Sequence, residues 1–265
     1  MHRHGAQTDC VNALEVITPN GDIRTCSRTE NSALFDAVRA GKGRNGIITK
    51  ATLALIPAPE KVRRYKLTCP TSDTLISNQL RLLAEGRFDY LEGQVRPEEN
   101  GAGWRYILES AVYYTSPYQP EDRSLLADLD WLNGEEEIED LTYASFLGRM
   151  APGEEYLRSV GAWFHPHPWC NLLLPAECIR AVFAETMRDL THADIGEGGL
   201  VLTYPIPTAR LATPGFLRPH GTLAFLFALL RTAPPDDYAT LARMQHVNRL
   251  LTERALKLGG RTYLG

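Results

Sequence analysis

Gly41-Lys42-Gly43-Arg44-Asn45-Gly46-Ile47-Ile48-Thr49 is the stretch on which the fold turns. Its first six residues satisfy Gly-x-Gly-x-x-Gly, but a dinucleotide fingerprint needs a strand before that spacing and a helix after it. Here the order is reversed. Upstream, Leu34, Phe35, Ala37 and Val38 predict a helix behind the capping candidates Ser27 and Asn31, ending at the glycines. Downstream, Gly46 to Ile56 is β-branched and apolar, which predicts a buried strand closed by Pro57-Ala58-Pro59. The doubly wound nucleotide fold is therefore rejected. Two readings stay open for the glycines: close approach of backbone to a flat cofactor or a neighbouring strand, or a plain helix-to-strand connection.

Working outward, Val11 to Thr18 and Ile23 to Cys26 flank Pro19-Asn20-Gly21-Asp22 and predict a β-hairpin. A domain boundary is placed after Pro59. The second unit should open with a strand over Arg64 to Cys69 and a helix from Ser72 or Asp73 to Glu85. Paired strands are expected over Phe88 to Val95 and Trp104 to Tyr114, then helices over Glu121 to Leu132 and around Tyr143 to Met150. The acidic run Glu135 to Asp140 reads as a solvated surface. Pro175 to Leu190 and Asp236 to Leu258 carry helical periodicity, Leu200 to Tyr204 and Thr222 to Leu230 read as strands, and Arg261-Thr262-Tyr263 looks like the start of another. Two α+β units are expected, residues 1–59 and 60–265.

The 265 residues are 44% hydrophobic and 23% charged, with 28 basic and 32 acidic side chains well mixed. That balance leaves no basic stripe for a nucleic acid. Leu223 to Leu230, the longest apolar run, is far shorter than the roughly 20 residues of a membrane span, and Met1 to Thr8 lacks the apolar core of a secretory signal. A soluble, cytoplasmic protein without membrane or nucleic-acid partners is expected. Five cysteines without a Cys-x-x-Cys pair argue for free thiols.

His165-Pro166-His167-Pro168-Trp169-Cys170-Asn171 is stiffened by two His-Pro pairs, which force extended backbone onto a large aromatic. Trp169 reads either as a ligand-cavity wall or as a core plug. His2/His4 and His165/His167 have a spacing that a metal could use in a strand, but neither pair has a third ligand nearby, and no metal site is assigned. No Gly-x-Ser-x-Gly elbow, Walker loop or His-Glu-x-x-His is present. In the strand around Phe88 to Val95, alternation puts Tyr90 and Glu92 on one face. Glu92 either orients a ligand amine or amide, or pairs with Arg87 or Arg105.

In order and spacing, Arg3-His4-Gly5, Asn12 to Glu15, Thr25-Cys26-Ser27, Asn31 to Val38, Gly43 to Thr49, Phe88 to Val95, Tyr143 to Arg149, Pro166 to Pro175, Leu202 to Pro205 and Tyr263-Leu264 resemble the cytokinin dehydrogenases. These are flavoproteins of the vanillyl-alcohol oxidase type. The resemblance covers essentially the whole chain and implies an α+β architecture: the C-terminal part of a flavin-binding domain of the PCMH type over residues 1–59, followed by an α+β substrate domain with an antiparallel sheet. It implies FAD as cofactor, with Gly46, Ile47, Ile48 and Tyr263 against the flavin, and a small-molecule substrate held by Glu92, Trp169, Asn171, Tyr204 and Leu264. The implied reaction is hydride transfer from a carbon next to an amine to flavin N5, giving an imine that hydrolyses. The family's pyrophosphate-binding loops and catalytic aspartate fall upstream of the first matching residue, so no catalytic residue is assigned and truncation at both ends is expected. A separate chain supplying the rest of the flavin domain is one partner this implies. A flavin-free descendant that only binds a ligand, or acts without redox chemistry, is the alternative. Lys42 and Arg44 depart from the family's neutral glycine-rich segment.

Overall fold

In the computed structural model, which describes every residue except Glu99, Asn100, Ala102, Leu264 and Gly265, Pro19-Asn20-Gly21-Asp22 folds β1 (Val11–Ile17) back onto β2 (Ile23–Ser27). The helix α1 (Ser32–Val38) lays Phe35 and Val38 on Leu14, Val16 and Cys26. After the glycines, β3 (Ile47–Leu53) pairs with the free edge of β1, giving the order β2-β1-β3. Gly46 makes that pairing sterically feasible. Its φ is +146°, and a Cβ there would lie 2.5 Å from Val16 Cγ1 and 2.8 Å from the Ile17 carbonyl oxygen. The close approach is therefore to a neighbouring strand.

The expected burial of that strand is overturned. Every residue of β3 is exposed, with Ile47 at 66%, and Leu55 just beyond it reaches 90%. The segment is apolar because of its composition, but among the described residues nothing packs over it.

The larger sheet is antiparallel throughout, in the order β11-β8-β10-β9-β5-β6-β4-β7. Its strands are β4 (Lys61–Cys69), β5 (Tyr90–Pro97), β6 (Trp104–Tyr114), β7 (Glu136–Thr142), β8 (Cys170–Pro175), β9 (Leu200–Pro207), β10 (Leu223–Leu230) and β11 (Arg261–Thr262). Two helices cover its back face. In α2 (Ser72–Glu85), capped by Thr71 Oγ1 accepting from the Thr74 amide and closed by Gly86 at φ 66°, Leu75, Ile76 and Leu82 are buried. The remaining helices are α3 (Asp122–Leu125), α4 (Tyr143–Leu147), α5 (Ala151–Ser159), α6 (Ile179–Asp189), α7 (His192–Ile195) and α8 (Tyr238–Lys257). The other back-face helix, α6, inserts Val182 and Phe183, whose ring meets Phe227 of β10 edge-on at 5.5 Å. Phe225, Phe227, Leu172, Leu108 and Tyr65 complete this core with about 1% exposure or less, and burial of such side chains contributes about 1.5–3 kcal/mol each. The fold is α+β with an antiparallel sheet, as expected.

One local expectation fails and another is only partly complete. Helix geometry over Glu121 to Leu132 is confined to α3, after which Leu125, Leu126, Leu129 and Trp131 turn inward to pack on the core. The acidic run lies at the surface as expected, with Glu135, Glu136, Glu137 and Asp140 exposed, but it forms strand β7, against strand propensity. Its carboxylates face basic side chains of β4: Lys66 Nζ lies 2.9 Å from Glu137, Arg63 Nη1 lies 2.7 Å from Asp140, and Arg64 pairs with Glu139. Cross-strand opposite charges of this kind supply what propensity lacks.

Arg39 joins the two sheets. It is 2% exposed, donates from Nη2 to Asp36 at 2.6 Å and from Nη1 to the Thr8 carbonyl at 3.2 Å and Thr213 Oγ1 at 3.5 Å, and lies 4.1 Å over the Phe35 ring.

Candidate functional site

One line of the large sheet runs Gly93, Thr203, Phe227, Leu172 from β5 to β8. Alternation then puts Gln94, Leu202, Ala228 and Asn171 in a row on the front face, opposite α2 and α6. One step the other way lie Glu92, Tyr204, Leu226 and Leu173. The backbone amide of Tyr263 donates to the Asn171 carbonyl at 2.9 Å, bringing the tyrosine to the same face. Four residues expected at a substrate or flavin surface, Glu92, Tyr204, Asn171 and Tyr263, thus share one face. Three strand spacings, about 14 Å, separate the first from the third.

Glu92 is held without an arginine. The Tyr90 hydroxyl donates to its Oε2 and Gln94 Nε2 donates to its Oε1 at 2.6 Å. The pairings considered for it from spacing are not formed: Arg87 binds Glu85, and Arg105 donates to Thr68 Oγ1 at 3.3 Å. Burial pushes the Glu92 carboxyl above the ordinary range, and the facing Glu109 adds to this, against the Tyr90 and Gln94 hydrogen bonds and Arg149. Glu109 is its direct partner across β5 and β6, and Gln94 Nε2 also reaches Glu109 at 3.1 Å. Arg149, following α4, completes the cluster: it donates to the Tyr90 hydroxyl at 2.7 Å, approaches Glu109 at 3.4 Å, and lies 4.7 Å over the Tyr90 ring. Burial likewise raises the Tyr204 phenol, with Tyr263 and Glu92 as lesser causes.

Trp169 is 56% exposed, which removes the core-plug reading. It borders an open groove of about 610 Å³ between the start of β8 and α8, shared with Asn171, Asn248, Arg249 and Thr252. The stiff His-Pro segment is anchored from behind, Asn248 Nδ2 donating to the Pro168 carbonyl at 2.8 Å. His167 faces the Trp163 carbonyl at 3.2 Å and the Arg231 carbonyl at 3.4 Å. Met1 packs on the front face, its Sδ 3.5 Å from the Tyr204 hydroxyl. Leu264 lies outside the described residues.

The residues assigned to the flavin fall into two groups. Ile47 and Ile48 form an exposed apolar edge on β3, and Tyr263 stands on the front face with Phe216 edge-on at 5.4 Å. Flat apolar and aromatic contacts of this kind fit an isoalloxazine ring. Among the described residues, however, no glycine-rich turn opens a helix in the way a pyrophosphate requires.

Sequence reasoning named Gln94 as a residue that could reshape the slot but missed Glu109 and Arg149. Glu109 carries a legible signal, a single carboxylate inside the apolar run Tyr106-Ile107-Leu108-Glu109-Ser110-Ala111-Val112. Arg149 carries none, because its role depends on where α4 docks.

The model of the family described as "Cytokinin dehydrogenase 1, FAD and cytokinin binding" matches residues 97–265. The chain is 43% identical over 262 residues to an uncharacterized oxidoreductase, ORF5 of the fasciation locus of Rhodococcoides fascians, covering 99% of this chain and 59% of that relative. Cytokinin dehydrogenase 4 of Oryza sativa subsp. japonica is 30% identical, over 97% of this chain and 54% of its own length. A chitooligosaccharide oxidase superposes with a TM-score of 0.67 at 16% identity over 99% of this chain and 58% of its own, and a xylooligosaccharide oxidase from Myceliophthora thermophila C1 with 0.61 at 20% over 97% and 57%. At those identities the two structures establish a shared fold only. The chain spans about half the length of the curated relatives it matches. By the match over residues 97–265, it belongs to the cytokinin dehydrogenase family of FAD- and cytokinin-binding proteins.

Proposed function

We propose that this chain supplies the substrate-binding roof of an FAD-dependent oxidoreductase acting on an amine of the N6-substituted adenine type. The observation that carries the reading is the half-buried carboxyl of Glu92, held by Tyr90 and Gln94 rather than by an arginine ion pair, in one row with Tyr204 and beside the row that ends at Asn171. A bound FAD would supply a hydride acceptor for the carbon next to the amine; loss of that hydride and of the amine N–H proton would give an imine open to hydrolysis. The protein's own part is orientation and exclusion of water. Glu92, steadied by Tyr90 and Gln94, accepts a hydrogen bond from the substrate amine. Tyr204 and Asn171 offer a hydroxyl and an amide on the same face, and Trp169 walls one end. Ile47, Ile48 and Tyr263 would hold the flavin ring, and the remainder of the flavin domain, on this polypeptide or on a separate chain, would hold the pyrophosphate.

Visible absorbance of the purified chain, before and after FAD is added, tests the cofactor assignment: a flavin spectrum that survives gel filtration supports it. Binding of N6-benzyladenine by calorimetry tests the slot separately. Glu92→Gln should weaken that binding about 10- to 100-fold, the value of a charged hydrogen bond; unchanged binding would remove Glu92 from the site. Ligand binding without any flavin uptake would select a second reading, a flavin-free binding module.

A further inference from the structure

Beside the Glu92 row, the front face holds a cavity of about 330 Å³ between β4, β5, β6 and the start of α5, lined by five cationic and three acidic side chains. Three of the cations have carboxylate neighbours. Lys66 is 2.9 Å from Glu137, and Arg149 and Arg64 flank Glu109 at 3.4 and 3.9 Å, so its charge is compensated from two sides. Arg96 and Arg105 differ. They are direct partners across β5 and β6 and both line the cavity, yet among the described residues no carboxylate lies within 4 Å of either guanidinium. Glu135 sits on the rim without an ion pair of its own among those residues, and Glu98 turns back onto Gly103. Like charges placed directly opposite on antiparallel strands repel, and burial lowers the Arg96 pKa against the more distant carboxylates of Glu92 and Glu109. Among the described residues the hydrogen bonds both make are to neutral groups: Arg96 Nε donates to Gln94 Oε1 at 2.9 Å and Arg105 Nη2 to Thr68 Oγ1 at 3.3 Å. Two guanidinium forks facing one cavity form a receptor for a planar or tetrahedral oxyanion, because each fork can give two parallel N–H bonds.

We propose that Arg96 and Arg105 form an oxyanion subsite beside the amine slot, taking a carboxylate or phosphate borne by the substrate. Gln94 links the two, since its carbonyl oxygen accepts from Arg96 while its amide donates to Glu92 and Glu109. The placement next to Glu92 rests on the functional reading above, whereas the anion site itself does not.

Calorimetry on the full chain separates the two, with N6-benzyladenine, N6-(4-carboxybenzyl)adenine and inorganic phosphate as probes. The carboxylated ligand should bind about 10-fold more tightly than the neutral one, with the gap closing as salt is raised. Arg105→Gln, whose hydrogen bond goes to Thr68 and not to Glu92 or Gln94, should abolish that preference and leave neutral-ligand affinity unchanged. Equal affinities in the wild type, or a preference that survives in R105Q, overturn the proposal, provided circular dichroism shows the variant folded. Phosphate binding that R105Q abolishes, with no purine binding, keeps the anion site but assigns it to a free anion and sinks the slot reading. Phosphate binding that R105Q leaves intact counts against the site.

Discussion

Two apolar strands with similar sequence character meet opposite fates. In β10, Phe225, Phe227 and Leu229 are wholly buried between flanking strands and back-face helices. In β3, Ile47, Ile48 and Leu53 are 46–66% exposed on a three-stranded sheet. Both runs are β-branched or apolar, and both are paired by backbone hydrogen bonds. The difference is a second layer: β10 has α6 across it, whereas no described residue packs on β3. Composition therefore reports that a strand is built to be covered, and only tertiary structure reports whether it is. A contiguous exposed apolar strip on an edge strand is the usual mark of an interaction surface.

This contrast predicts unequal costs. Phe227→Ala should lower stability by about 3–5 kcal/mol through the cavity it leaves against Phe183, read from urea melts of the chain. Ile48→Ala on β3 should shift the same midpoint by no more than about 0.5 kcal/mol. A loss comparable to that of Phe227→Ala would mean that β3 is covered in solution.

The junction offers an intermediate effect. Arg39→Ala removes hydrogen bonds to Asp36, Thr8 and Thr213 and the stacking over Phe35, and should cost about 2 kcal/mol. If the two sheets are coupled through Arg39, calorimetry of the variant should resolve two transitions where the wild type shows one. A single unsplit transition would move the coupling elsewhere.

The smallest effect lies on the front face and depends on pH. Because the Glu92 pKa is raised in the folded state, the native protein binds more protons than the unfolded chain between the unfolded value near 4.5 and the raised value. Stability therefore falls as pH rises through that window. Glu92→Gln, which mimics the protonated carboxyl, should match the wild type below pH 4 and exceed it at pH 8. A wild type that gains stability relative to the variant with rising pH would show Glu92 to be stabilised as a carboxylate.

Much of the fold was legible. The hairpin at Pro19-Asn20-Gly21-Asp22, the helices α2, α6 and α8, and the strands β5, β6, β9 and β10 follow from turn chemistry and period, which are local properties. The strand β7 was not, since Glu135 to Asp140 looks solvent-bound until Arg63, Arg64 and Lys66 are found opposite it. The long helix expected over Glu121 to Leu132 shortened to α3 because its leucines are drawn to the core at positions that a continuous helix would not serve. In the candidate site, alternation alone placed Tyr90 and Glu92 on one face. That Gln94 bridges Glu92 and Glu109, and that Arg149 steadies both Tyr90 and Glu109, depends on register and docking.

By itself, the sequence determined most element types and the rejection of a dinucleotide fold at Gly41 to Gly46, because each rests on residues within a few positions of one another, and the family resemblance, because the order and spacing of short motifs need no coordinates. Tertiary structure alone decided that β3 is bare, that Trp169 borders a groove rather than plugging the core, and that Arg96 faces Arg105 over a shared cavity. Those outcomes depend on which strand lies beside which and on what covers each face, and residues distant along the chain set both.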